Sequence, residues 1–351
     1  MKYYLKEEFL RNDNVKNAGN KARNDVEQIL GNAGYEPLLF SVRNWYEMSF
    51  LSAQIHKISA LWQALKQLKS GDELIIQFPM LHHNFLTNFL INIVKKRNVV
   101  VYFLIHDLEV LRHSNLSSIT LKQKIRIYLQ ELSLLSTGSG IIAHNHKMKS
   151  VLENKGIASE KIVSLEIFDY LIPNFKGHSQ VSKDDAIIIA GNLAMEKAGY
   201  LYSLPPSPRF NLYGVGFDES HASTNTTYFG SFFPDELPNV LSGSFGLVWD
   251  GEKSETCTGI FGEYLRYNNS HKASLYLASG FPLIVWKNSA LSQFVEEQNC
   301  GITINSLYEI QERLLDLSTD EFNLLSSNAE NVGKLIREGH FLLTAIQKLR
   351  K

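Results

Sequence analysis

The sequence predicts an α/β protein of two Rossmann-like, doubly wound domains with a cleft between them. Short apolar runs rich in Ile, Val and Phe alternate with stretches of helical spacing, the pattern of right-handed βαβ units on a parallel sheet. The alternation breaks over residues 173–184, where Pro173, Asn174, Gly177, Ser179 and Ser182 make a polar run suited to an interdomain linker. A length of 351 residues gives two domains of ordinary size, each able to bury its own core.

The first series places strands at 37–42, 72–77, 98–105, 140–143 and 161–165, each a short run of branched or aromatic residues. Helical spacing fills the intervals at 24–30, 51–68, 84–96, 121–135 and 148–154. After the linker, strands fall at 186–190, 210–213, 226–229, 245–249, 282–285 and 301–304, and residues 319–349 return to helical spacing. The expected division is 1–172 for the first domain, 173–184 for the linker, 185–330 for the second domain and 331–351 for a terminal helix.

Composition narrows the class. Lys and Arg total 35 against 36 Asp and Glu, so no global basic field invites nucleic acid, and 44% hydrophobic residues exclude a disordered chain. The opening Met1-Lys-Tyr-Tyr-Leu-Lys-Glu-Glu8 has no apolar h-region, and no stretch reaches the ~18 apolar residues of a membrane span, so a cytoplasmic protein is expected. Cys257 and Cys300 alone make neither a disulfide framework nor a zinc cluster and read as buried thiols. The first 50 residues lack Gly-x-Gly-x-x-Gly, against a nicotinamide enzyme, and no Gly-x-Ser-x-Gly supplies a serine hydrolase. No Asp-x-Asp triplet offers a metal seat for a diphosphate, and Asp184-Asp185 suits a hydrated turn, so no metal is expected.

In doubly wound sheets ligands gather beyond the carboxyl ends of the strands. That rule selects Gly191-Asn-Leu193 with Lys197, Gly214-Val-Gly216 and Asp250-Gly251 in the second domain. It selects Phe78–His83, His106-Asp107 and His144-Asn145 in the first. The richest block runs from Phe245 to Trp286, where a polar loop meets a helix start carrying Asn269, His271 and Lys272. Unpaired N–H groups, the positive end of the macrodipole and a lysine together make a seat for a diphosphate, with Ser274 able to add a hydroxyl. Asn268-Asn269-Ser270 also reads as an ordinary N-cap.

The run 255–272, with Asp250-Gly251 ahead of it, resembles bacterial β-1,6-galactofuranosyltransferases of O-antigen and capsule synthesis. It is similar as well to the related UDP-glucose-dependent glucosyltransferases that extend glycans on serine-rich-repeat adhesins. Further matching pieces are Asn17–Asp25, Ile105-His-Asp107, Ile167–Leu171, Ala190–Leu193, Leu212–Val215 and Tyr228–Phe232, so the resemblance covers nearly the whole chain. Ser270 departs from it where Pro is expected before His-Lys, and Ala194-Met195-Glu196 where a basic residue is expected.

The resemblance implies a GT-B fold with a UDP-sugar in the second domain, a glycan acceptor in the first, and a last helix that crosses back. The donor site it implies comprises Gly191, Asn192, Lys197, Tyr228, Asp250, Asn269, His271, Lys272 and Ser274. By the strand-end rule, Gly191 and Gly214 either let backbone approach a uridine or its ribose or serve as simple turns, and one of Tyr228, Phe232 or Phe233 stacks on uracil or belongs to the core. Gly19, Lys21 and Arg23 lie in a segment that suits either a loop closing over the sugar or a plain capped helix, and Arg23 or Lys21 is expected to steady the leaving diphosphate. For an inverting reaction Asp107 is the first choice of base and His106 the second, with Asp13 and His82 behind them; stereochemistry stays open. Galactofuranosyl transfer in surface polysaccharide synthesis is the leading function. Glucosyl transfer to N-acetylglucosamine on a serine-rich-repeat glycoprotein is the alternative, and a noncatalytic sugar-binding partner of a transferase the second. The acceptor is expected to be lipid-linked or protein-linked, with peripheral contact at the inner membrane face and homo-oligomerisation.

Overall fold

The computed structural model describes residues 1–8, 19–42, 48–82, 84, 86–112, 120, 131–178 and 181–351. Among these, two six-stranded parallel sheets form the frame. The first sheet is built from β1 (Lys2–Glu8), β2 (Glu36–Ser41), β3 (Glu73–Phe78), β4 (Val100–Ile105), β5 (Gly140–Ala143) and β6 (Ile162–Ser164), in the order β2-β1-β3-β4-β5-β6. The second holds β7 (Ile187–Asn192), β8 (Phe210–Val215), β9 (Thr226–Tyr228), β10 (Gly246–Val248), β11 (Leu283–Trp286) and β12 (Gly301–Ile304), in the order β12-β11-β10-β7-β8-β9. Strand order reverses between β1 and β3 and again between β7 and β10, so each domain has a switch point where ligands of such sheets collect.

Ahead of the first strand expected from the apolar runs, at 37–42, the first sheet starts at β1. That strand pairs with both β2 and β3, so it lies inside the sheet. Tyr4 and Leu5 are buried, but Lys2, Lys6, Glu7 and Glu8 surround them, and so many charges hide the apolar run that marks a parallel strand. The helical stretch expected at 121–135 lies largely outside the described residues, which retain a short helix at Ser133–Thr137.

Each sheet is apolar on both faces, as parallel sheets must be. One cluster, with Phe40, Leu74, Phe103 and Ile141, fills one side of the first sheet, and a second, with Tyr4, Ile75, Tyr102 and Leu104, fills the other. The second domain has one large core around Trp249, Tyr276 and Trp286. The helix Thr319–Arg337, opened by a Ser318/Glu321 capping box, belongs to that core through Phe322, Leu325 and Ile336. Gly339 then turns the chain at φ +75°, where a Cβ would press on Ile29 at 2.8 Å. The last helix, His340–Leu349, lies on the first sheet through Leu342, Ala345 and Ile346. Asp169 receives the amides of Phe341 (3.2 Å) and Leu342 (2.8 Å) at that helix's start. Burial raises the Asp169 carboxyl to about 7. No described helix is long and apolar enough to cross a membrane.

Candidate active site

The helix His271–Ala278 starts beside the switch point of the second sheet. Ser270 stands at its N-cap without a side-chain bond into the first turn, so the leading amides are not satisfied by that hydroxyl. Lys272, in the first turn, sends its ammonium to Trp249 O and to Asp250 Oδ1, both at 2.8 Å. An ammonium carries three protons, so these two bonds hold it while leaving one for an anion. The lysine stem runs across Gly191, where a Cβ would stand 3.6 Å from its Cδ. Gly191 lies in the last two residues of β7 and Asp250 follows β10, the two strands that flank the switch.

Two glycines make this corner possible. Gly214 has φ +150°, and a Cβ there would lie 1.8 Å from Gly191 O, so β7 and β8 converge at their ends only because position 214 lacks a side chain. Gly251 has φ +114°, and a Cβ would meet Thr258 O at 2.4 Å.

The remaining donor-side candidates scatter around that corner. Asn192 is exposed and accepts the Ala194 amide at 3.0 Å in a side-chain turn. Lys197 lies over the Phe261 ring at 5.2 Å. The Tyr228 hydroxyl donates to Gly214 O at 2.7 Å, tying β9 to the glycine corner, while its ring tilts against Phe217 at 5.3 Å. Phe232 packs on the core, and Phe233 is 37% exposed. Ser274 is fully buried, with no hydrogen-bond partner for its hydroxyl. Burial first, and the nearby Lys21 cation second, hold His271 down at about 4. Its imidazole is therefore neutral at pH 7, and Lys272 is the cation of this helix start.

Asn269 and Lys21 serve the seam between the domains. The Asn269 amide donates to His144 Nδ1 (3.0 Å), and its carboxamide donates to His144 O (2.7 Å) and Glu166 O (2.8 Å). Lys21 Nζ uses all three protons, on Asp25 Oδ1 (2.8 Å), Leu171 O (2.7 Å) and Asp235 Oδ1 (2.6 Å). Asp25 is pushed up to about 6 by burial, against the pull of that lysine. Arg23 reaches Pro79 O at 2.5 Å, and Gly19 is exposed in the turn before its helix. Asp13 and the rest of 9–18 lie outside the described residues, as does His83.

Across the cleft, His106 and Asp107 follow β4. His106 Nε2 is 2.7 Å from Gln77 Oε1, which assigns the proton to that nitrogen, and its ring stacks on Phe168 at 5.5 Å. Burial, reinforced by Arg23 and by the imidazoles of His144 and His271, keeps His106 well below the usual histidine range. Asp107 is partly exposed and paired with Arg112. Behind it Glu131 accepts the amides of Glu109 (2.8 Å) and Val110 (2.9 Å), fixing the turn, and burial lifts that carboxyl to about 7. His82 is buried, which lowers its pKa, and lies edge-on to Phe40.

Tyr264, Glu131, Asp235 and Asp169 were not singled out from the sequence. Tyr264 belongs to a second-domain helix yet is buried in the first domain's core, and its hydroxyl accepts the Leu108 amide at 3.0 Å. Its partner is 156 residues away, and no local motif marks such a contact.

With this geometry described, similarity to known proteins is informative. The domain described as glucosyltransferase 3-like, N-terminal, matches residues 2–167, and its C-terminal counterpart matches 187–349. The chain is 32% identical to the beta-1,6-galactofuranosyltransferase WbbI of Escherichia coli (strain K12), over 99% of this chain and 98% of that protein. It is 24% identical to glucosyltransferase 3 of Streptococcus gordonii, over 91% and 90% of the two chains. Among solved structures, sucrose-phosphate synthase from Thermosynechococcus elongatus superposes with TM-score 0.65 at 12% identity, covering 99% of this chain and 96% of that one. Anabaena HepE in complex with UDP and glucose gives 0.57 at 13%, covering 99% and 97%. The structures at these identities speak for the fold, two Rossmann-like domains of the GT-B type. The two matched domains span nearly the whole chain, which belongs to the glucosyltransferase 3-like family of GT-B glycosyltransferases.

Proposed function

We propose that the protein transfers a hexosyl residue, galactofuranose first, from a UDP-sugar to a glycan acceptor in surface polysaccharide synthesis. The observation that carries this is the donor corner at the second switch point. Gly191 leaves room for close approach beside the Lys272 stem, Gly214 lets β8 pack against it, and Lys272 stands at a helix start with one ammonium proton left over. Uridine diphosphate seated there gains the helix dipole and the lysine as its charge stabilisers. Galactofuranose is favoured over glucose because the 32% identical relative bears that activity in its name and matches over nearly all of both chains. The glucosyl alternative rests on the more distant streptococcal relatives.

For an inverting transfer the acceptor hydroxyl gives up its proton as it attacks, and we assign that base to Asp107. His106 is the weaker choice, because its environment opposes protonation and its Nε2 is engaged by Gln77. Calorimetric titration of UDP, UMP and uridine tests the seat. The diphosphate is expected to tighten binding about 10²-fold over uridine, from charge-assisted bonds of about 1.5–3 kcal/mol each. Equal affinity for UDP and uridine would remove the diphosphate from this site. The acceptor is proposed to be lipid- or protein-linked.

A further inference from the structure

We infer that Asn145 is a positioning residue for the transfer, the first-domain half of a clasp that fixes the donor helix against the acceptor domain. The inference rests on the donor seat proposed above. Asn145 Nδ2 donates to Tyr267 O at 3.0 Å and to Asn269 Oδ1 at 2.8 Å. Asn269 returns three bonds, from its amide to His144 Nδ1 and from its carboxamide to His144 O and Glu166 O. Both asparagines are buried, at 6% and 3% exposure. These cross-domain bonds fall within Tyr267–Asn269, directly ahead of the helix start that holds Lys272.

The arrangement requires asparagine chemistry. Both Asn269 amide protons are used on first-domain carbonyls, so its oxygen must find a donor, and Asn145 is that donor. The Asn145 oxygen meanwhile caps the helix His146–Asn154 by accepting the Met148 amide at 3.0 Å. One side chain thus ties the end of β5 to its own helix and to the partner domain. β5 is hydrogen-bonded to β4, the strand that ends at His106 and Asp107. Through these elements the clasp sets how Asp107 faces Lys272, and misplacing reacting groups by about 1 Å costs about 10²-fold in rate.

Asn145→Ser and Asn145→Asp separate this role from others. Both keep an oxygen for the Met148 cap; serine deletes the cross-domain donors, and aspartate adds a charge facing Tyr267 O and Asn269 Oδ1. Expected for both variants are UDP affinity within about threefold of wild type, because Lys272, Asp250 and Gly191 are untouched, and a kcat for transfer reduced roughly 10–100-fold. Hydrogen exchange at the Asn269 amide should quicken about tenfold or more in Asn145→Ser as the clasp loosens. Wild-type kcat in Asn145→Ser, or UDP affinity falling in step with kcat, overturns the positioning role. If wild type binds no UDP, the donor seat fails on its own account. The exchange arm then decides the clasp: faster exchange upholds it, and unchanged protection overturns it.

Discussion

Replacing Lys272 by methionine should damage stability and donor binding together, and a second substitution should restore only the first. The lysine and Asp250 form a pair whose side chains are 14% and 7% exposed. Removing one member of a buried pair strands the other's charge, at about 3–5 kcal/mol. For a domain of this size each kcal/mol moves the midpoint by about 2–4 °C, so Lys272→Met should melt roughly 6–20 °C lower, from the same two estimates. In Asp250→Asn/Lys272→Met no charge is stranded, and the midpoint should return to within about 1 kcal/mol of wild type. UDP affinity should stay about 10²-fold weaker in both, because the charge-assisted bond to phosphate is absent in each. Differential scanning calorimetry and UDP titration on wild type, Lys272→Met, Asp250→Asn and the double variant complete the cycle. A double variant that regains UDP affinity along with stability would take Lys272 off the phosphate, leaving it only as the partner of Asp250.

Three further outcomes are expected. Gly214→Ala puts a Cβ into Gly191 O at an unfavourable φ, and should cost more than about 3 kcal/mol in chemical denaturation; a neutral result would contradict the glycine corner. His144, held to about 4 chiefly by burial, remains neutral in the native state while the unfolded chain protonates near 6.5. Its contribution is therefore lost as pH falls from 6.5 to 4. Asp169, Asp25 and Glu131, raised to about 7, 6 and 7, act in the opposite sense, so a comparison with His144→Asn isolates the histidine. Wild type should lose about 3 kcal/mol relative to that variant between pH 7 and pH 4, measured by urea midpoints, and a constant difference would contradict it. Asp107→Asn should lower kcat by about 10²–10⁴-fold with UDP affinity retained, and an unaltered kcat would dismiss Asp107 as the base.

Much of the frame was legible because the strands of parallel sheets are continuous apolar runs. Ile187–Asn192, Leu283–Trp286 and Gly301–Ile304 lie close to where Ile, Val and Leu cluster. β1 escaped because its charged residues mask two buried ones. Residues at or just beyond strand ends, including Gly191, Asp250 and His144-Asn145, were found by topology alone. Their tasks were not, because a side chain's partners depend on the relative placement of two domains. Asn269 looked like part of a phosphate seat, yet its carboxamide faces His144, Asn145 and Glu166, residues more than 100 positions earlier in the chain. Lys21 looked like a clamp on the leaving group, but its ammonium is committed to Asp25, Leu171 and Asp235.

Hexosyl transfer from a UDP-sugar is read out by UDP release from UDP-galactofuranose and from UDP-glucose. Each donor is supplied with glucosyl and N-acetylglucosaminyl acceptors to wild type and to Asp250→Asn/Lys272→Met. Acceptor-dependent turnover with UDP-galactofuranose is expected, and it should collapse in the folded double variant. Turnover with UDP-glucose alone would move the assignment to glucosyl transfer. No UDP release from either donor, with no UDP binding, would rule out hexosyl transfer and point to a noncatalytic partner.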